Sequence, residues 1–249
     1  MIEARELSKV FNDKKRGEVR AVDSVSFRCE PGQIYGLLGA NGAGKTTTLR
    51  MLATILAPTA GAATVAGFDV VREPAKVRAH IGFLSTATAL YDRLTAVETV
   101  EYFGQLFGLD SATIARRTAE IFRTLDMEEF RDRRCAKLST GMKQKVSIAR
   151  TIIHDPPVMI FDEPTNGLDV PSVRALRDLL RRWRDAGACV LFSSHVLEEV
   201  SALCDNVVII DQGRVAAQGS PAELCRQTGC VSLEDAFVKL TALEEPAVC

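Results

Sequence analysis

Eight residues, Gly39-Ala40-Asn41-Gly42-Ala43-Gly44-Lys45-Thr46, constrain the fold of this chain more than any others. They fit the pattern G-x-x-x-x-G-K-[ST]. They also stand between an apolar run at 34–38 that reads as a strand and a periodic stretch at 46–56 that reads as a helix, ended by Pro58. In that setting the glycines let successive backbone N–H groups turn inward, and the helix start adds partial positive charge, so the loop suits phosphate oxygens. Gly39, Asn41, Gly42 and Gly44 would line the anion, Lys45 would reach the outer phosphates, the Thr46 hydroxyl would ligate magnesium, and Thr47 would add a phosphate contact.

Further strand-like segments fall at 25–29, 80–84, 158–161, 189–193 and 207–211, with longer periodic stretches between several of them. Strands alternating with helices predict an α/β core with a largely parallel sheet. Residues 95–125 carry two helical patterns and no strand signal, the first opened by Thr95 with Glu98 three positions on, a capping box. Asp211-Gln212-Gly213-Arg214 reads as a hairpin turn, and Ser220-Pro221-Ala222-Glu223 opens a short helical tail with a second box. No internal repeat is visible, and 249 residues suit one large domain with a small appendage.

Composition removes several alternatives. With 47% hydrophobic and 25% charged residues, the chain resembles neither a disordered nor a collagen-like segment. A net charge of −1 provides no global attraction to nucleic acid or anionic lipid, so no nucleic-acid partner is expected. Runs such as Val158-Met159-Ile160-Phe161 are strand-sized, far short of the ~20 residues of a membrane span, so a membrane role would need a separate partner. The start, Met1-Ile2-Glu3-Ala4-Arg5, lacks a secretory pattern, and a cytosolic location is expected. Seven cysteines show neither Cys-x-x-Cys nor interleaved His spacing; they read as reduced thiols, with no metal assigned to them.

The run at 158–161 ends in Asp162-Glu163, at the strand end where ligands sit in such sheets. Two adjacent acids there can divide the work: Asp162 orienting magnesium through its water shell, Glu163 acting as general base, an effect of ~10²–10⁴ in rate. An acidic pair after a strand is by itself as often a solvated loop; the phosphate loop upstream favours the chemical role.

Leu138-Ser139-Thr140-Gly141-Met142, followed by Lys143-Gln144-Lys145 and a helical run to His154, resembles the signature of the ATP-binding-cassette (ABC) family. The order of phosphate loop, signature, Asp162-Glu163, Asn166-Gly167-Leu168-Asp169 and finally His195 after a strand extends the resemblance over about residues 2–220. It implies a P-loop NTPase (RecA-like) core sheet with an antiparallel β subdomain and a helical subdomain. The nucleotide-binding domain would span 1–219, with the helical subdomain inserted at about 88–155, and a helical appendage would follow at 220–249. It also implies ATP with Mg²⁺, a permease partner in the membrane, and a second copy of the chain. ATP would lie between the phosphate loop of one copy and the signature of the other, where Ser139 and the helix start near Gly141 meet the γ-phosphate. His195 would contact that phosphate, Asp169 would link the copies, and Phe11 would stack on adenine, the competing role for Phe11 being a core aromatic.

The sequence departs from the family pattern at three places. Thr140 and Met142 replace the usual Gly and Gln of the signature; Thr140 predicts a negative φ and a helix N-cap there. Where a Gln usually follows the strand at 81–84, Thr86 is the closest counterpart and the candidate metal-side residue. With Leu90-Tyr91-Asp92-Arg93-Leu94-Thr95 and Ser232-Leu233-Glu234-Asp235-Ala236-Phe237, these variants resemble the ATPase subunits of bacterial exporters, near the sodium-exporting branch. Soluble cassette proteins of translation or DNA repair resemble tandem cassettes or carry long coiled coils, absent here, and a kinase or switch-type GTPase would lack the signature. His80 and His154 read as structural or surface residues, the charged stretch at 177–184 as a solvated face, and Tyr102, Phe103 and Phe107 as helical core.

Overall fold

The computed structural model describes residues 1–13, 17–85 and 89–242; Thr86 therefore lies outside the described residues. Among the described residues the strands form two sheets. The first is antiparallel and brings together β1 (Ile2–Asp13), β2 (Gly17–Cys29), β4 (Ala60–Val65) and β5 (Phe68–Asp69) in the order β2-β1-β4-β5, while β3 (Gln33–Leu38) crosses into the second sheet. That sheet also takes β6 (Ile81–Leu84), β7 (Val158–Asp162), β8 (Cys189–Ser194), β9 (Asn206–Asp211) and β10 (Arg214–Gly219), in the order β10-β9-β3-β8-β7-β6. All its pairings are parallel except β9 with β10, whose hairpin turns at Gln212 and Gly213 with φ of 44° and 84°.

The parallel strands are apolar on consecutive positions because both faces of the sheet are covered. Met159, Phe161, Val190, Phe192, Val207 and Ile209 point into one core; Val158, Ile160, Leu191, Val208 and Ile210 point into the other, shared with the antiparallel sheet. Phe161 and Phe192, both buried, each contribute about 2–3 kcal/mol of transfer free energy.

Helix α1 (Lys45–Leu52) and helix α2 (Pro74–Ala79) accompany the first half of the chain. The predicted helix at 46–56 ends four residues early, and Pro58 does not end it. Thr54 turns to φ 62°, its N–H bonds to the Met51 carbonyl and that of Ile55 to the Arg50 carbonyl, a left-handed stop reached before Pro58. Helices α3 (Ala96–Leu106), α4 (Ser111–Thr124) and α5 (Thr140–Ile152) form the helical insertion, α3 with the expected Thr95–Glu98 box. Helices α6 (Val170–Asp185) and α7 (Leu197–Leu203) follow β7 and β8. The tail, α8 (Pro221–Thr228) and α9 (Leu233–Ala242), begins with the Ser220–Glu223 box and buries Leu224 and Leu233 in the same core cluster as Val200 and Val207.

The residues read as structural divide. His154 stacks on Phe107 at 3.5 Å, its Nε2 faces the Ile81 carbonyl at 3.0 Å, and burial pushes its pKa down to about 4, which suits a neutral packing residue. Of the three aromatics expected in the helical core, Phe103 packs on it, but Tyr102 and Phe107 are exposed: Tyr102 lies on the outward face of α3, and Phe107 caps its C-terminus.

Candidate functional site

Strands β3, β8 and β7 lie side by side and parallel, so their C-terminal ends share one edge. Leu37 pairs with Ser193, and Ser193 pairs with Asp162. The loop after β3 is thereby brought to the acids at the end of β7 and to His195 after β8, both more than a hundred residues further along the chain.

The loop from Gly39 to Gly44 depends on its glycines for two reasons. Gly42 and Gly44 hold φ of 85° and 108°, a region that side chains rarely adopt. A Cβ on Gly39 would meet the Ile210 carbonyl oxygen at 2.2 Å, and one on Gly44 would meet that of Ala21 at 2.5 Å. The turn between β9 and β10 braces the loop from behind, the Gly213 N–H donating to the Ala43 carbonyl at 2.9 Å. Gly44 caps α1 without any side-chain hydrogen bond, so the first-turn amides are served by no capping group.

Lys45 is 5% exposed, and its ammonium donates to the Gly39 and Ala40 carbonyls at 2.6 and 3.1 Å. Burial holds its pKa below the usual lysine range, against the pull of Glu163 and Asp162. A buried cation beside the uncapped amides of a helix start is arranged for a polyanion. The Thr46 hydroxyl donates to Asp162 Oδ1 at 3.1 Å, while Thr47 and Asn41 stand on the same loop and first turn, Asn41 exposed.

Asp162 is 1% exposed, and Ser193 Oγ also donates to its Oδ1, at 2.7 Å; Oδ2 is buried without a partner among the described residues. Glu163 sits at φ 49°, a left-handed position for a residue with a Cβ, and its N–H donates to Ser193 Oγ at 3.0 Å. Its carboxylate is held at both oxygens: His195 Nδ1 lies 3.2 Å from Oε1, and Asn166 Nδ2 donates to Oε2 at 2.5 Å. The structure thus assembles Lys45, Thr46, Asp162, Glu163 and His195 along one edge of the sheet.

The remaining candidates stand elsewhere. Ser139, exposed, is the N-cap of α5 and accepts the Met142 N–H at 3.3 Å. Thr140 has the expected negative φ but is the first helical residue; the cap belongs to Ser139, whose hydroxyl is spaced to meet the amide three positions on. Gly141 approaches the Gly167 carbonyl, where an added Cβ would come to 3.2 Å. Asp169 caps α6, and hydrogen bonds from Ser172 hold its carboxyl below the usual carboxylate range. Phe11, near the end of β1, is 38% exposed with the Lys9 ammonium 5.3 Å from its ring centroid, so it is no core aromatic.

Ser193 was not singled out from the sequence, although it joins Asp162 to Glu163. Its signal is a hydroxyl next to the end of an apolar strand, which when buried must find polar partners. Gln144, whose Nε2 donates to the Pro164 carbonyl at 2.9 Å, was equally silent as a tether between α5 and the turn after Glu163.

Comparison with known proteins agrees with this geometry. A family described as ABC transporter matches residues 22–166. The chain is 46% identical over 88% of its length to the ABC transporter ATP-binding protein NatA of Bacillus subtilis, covering 89% of it, and 38% identical over 89% of its length to the Nod factor export ATP-binding protein I of Ralstonia nicotianae, covering 69% of that protein. A solved ATP-binding subunit of an ABC transporter superposes with a TM-score of 0.89 at 31% identity, over 97% of this chain and 99% of that one. A dimeric ATP-binding cassette bound to ADP and Pi in a post-hydrolysis state shares the fold at a TM-score of 0.81 and 23% identity, over 88% of this chain and 98% of that one. Since the matched span carries the loop after β3 and the acids after β7, and a close relative extends the likeness through most of the chain, this protein belongs to the ABC transporter family as a subunit that binds and hydrolyses ATP.

Proposed function

We propose that this chain is the motor of an exporter: two copies close on two ATP molecules, Mg²⁺ accompanies each nucleotide, and hydrolysis reopens the pair to drive a separate membrane permease. The observation that carries the site assignment is the Glu163 carboxylate, held between His195 and Asn166 beside the phosphate loop. Glu163 serves as general base toward water, and His195 steadies that water and the γ-phosphate. Lys45 and the amides from Gly39 to Thr47, Asn41 among them, hold the phosphates.

Mg²⁺ fits the residues present. Asp162 Oδ2 is buried and unpartnered beside the Thr46 hydroxyl, an all-oxygen donor set suited to a hard cation that keeps water and phosphate ligands. Thr46 and Asp162 would hold it, and its charge would offset that of the phosphates. Thr86, read from the sequence as a further metal-side residue, lies outside the described residues.

Support for the pair comes from α5. Its start is exposed, with Ser139 free to donate its hydroxyl hydrogen while accepting from Met142, as a half-site for a partner's γ-phosphate requires, and Gly141 allows close approach. Asp169 would then meet the partner and Phe11 the adenine. Among the described residues no helix is long and apolar enough to cross a membrane. A permease contact is supported by exposed apolar side chains in and before α3, Leu106 and Tyr91, 60% and 55% exposed. We assign the domain to 1–219, the helical subdomain to about 88–155 and the appendage to 220–249, consistent with α3 to α5 and with α8 and α9. The resemblance to sodium-exporting subunits remains an expectation about cargo, which the permease selects.

The test is the mass of Glu163→Gln protein by analytical ultracentrifugation. It should sediment as a dimer with ATP and Mg²⁺ and as a monomer with ADP; a monomer at saturating ATP rejects the sandwich.

A further inference from the structure

Among the described residues, the Glu199 side chain hydrogen-bonds and pairs with Thr165 and Arg177 rather than with the candidate reacting groups, yet it fastens the backbone that presents one of them. We infer that Glu199 is a positioning residue for the Glu163 carboxylate, acting through Thr165. It lies on the first turn of α7, four residues after His195, and is 8% exposed. A buried carboxylate needs partners, and Glu199 has one for each oxygen: Oε2 accepts the Thr165 hydroxyl at 3.0 Å, and Oε1 lies 3.5 Å from Arg177 Nη2 on α6.

Thr165 belongs to the turn that follows Glu163. A left-handed non-glycine residue is strained and persists only where its surroundings hold it. On its N-terminal side Glu163 is held by Ser193. On its C-terminal side it is held by the turn itself, in which the Asn166 N–H donates to the Glu163 carbonyl at 3.3 Å and the Leu168 N–H to that of Thr165 at 3.1 Å. This turn is pinned to α5 through Gln144 and Pro164, and to α7 through Glu199 and Thr165. His195 immediately precedes α7 and faces Glu163 at 3.2 Å. One carboxylate therefore fixes the spacing between the helix that follows His195 and the turn that aims Glu163. Without it the turn can relax toward a right-handed Glu163, and the carboxylate swings from its place.

This rests on Glu163 being the hydrolytic base. The experiment compares Thr165→Val, Thr165→Ser and Glu163→Gln in the complete ATPase. Thr165→Val removes the hydroxyl and leaves the Glu199–Arg177 pair intact. It should lower kcat about tenfold while KM and the Kd for ATP stay within about twofold, and Thr165→Ser should restore kcat to within about twofold. In a Glu199→Ala background, Thr165→Val should have no further effect on kcat. An unchanged kcat in Thr165→Val beside an inactive Glu163→Gln overturns the positioning role and leaves the base in place. Full turnover by Glu163→Gln removes the base and this inference with it. A parallel loss of ATP affinity and kcat, or failure of serine to rescue, reduces the contact to general structure and also overturns it.

Discussion

Helices α1 and α5 both begin with backbone amides that the helix itself cannot satisfy, but they treat those amides differently. At α1 the cap is Gly44, left-handed and without a capping side chain, and Lys45 is buried against the loop. At α5 the cap is Ser139, which occupies the Met142 amide and stands exposed. The first terminus reserves its donors and pays for their desolvation with a rigid glycine frame; the second is satisfied in the single chain and retains one hydroxyl hydrogen for something outside it. A buried lysine beside uncapped amides in one place and an exposed, self-capped helix start in another suit the proposed anion site split between two copies.

The sharpest way to break this comparison is chemical. Glu163→Gln should retain ATP binding and lose ~10²–10⁴ in turnover, measured as phosphate release; turnover at the unmodified rate would remove the base from the α1 edge. Lys45→Ala should weaken ATP binding by about a hundredfold, read by fluorescent-nucleotide titration, because a buried cation and its charge-assisted hydrogen bonds are lost. A smaller effect is expected for Gly44→Ala, where a Cβ must occupy left-handed backbone 2.5 Å from a carbonyl oxygen. A loss of about 2 kcal/mol, or a Tm lower by about 4–8 °C, should accompany weakened nucleotide binding.

Ser139→Ala sharpens the contrast with the smallest change in stability, about 1 kcal/mol for a lost cap. Nucleotide affinity of the single chain should stay within about twofold, while ATP-driven dimerisation of the Glu163→Gln background, followed by sedimentation, should fall. If Ser139→Ala weakened ATP binding to the isolated chain as strongly as Lys45→Ala does, the two termini would belong to one site and the split would fail.

Local chemistry made much of this molecule legible in the sequence. The glycines of the phosphate loop, the boxes at Thr95–Glu98 and Ser220–Glu223 and the turn at Gln212-Gly213 are all decided within a few residues, by positive φ or by side chains spaced to reach a nearby amide. The apolar runs announced parallel strands for a similar reason: a strand covered on both faces has no polar side to show. Motif order supplied Asp162, Glu163, Ser139, Asp169 and His195 as candidates.

Where the chain's own neighbours did not set the outcome, the sequence fell short. The α1 terminus stopped at a left-handed Thr54, whose hydroxyl receives Arg78 Nη1 at 3.0 Å from a distant helix. Thr140 yielded the cap to Ser139, and Ser193 acquired its role only when β8 slid between β3 and β7.

The sequence by itself determined which residues could grip a phosphate, turn the chain or start a helix, because those properties depend on backbone freedom and donors only a few bonds apart. Only the tertiary structure decided that Asp162, Glu163 and His195 meet beside the loop at Gly39, and that Glu163 holds a left-handed conformation. Strand order and register are set by pairing between segments far apart in the chain, where burial and hydrogen bonding must be satisfied together.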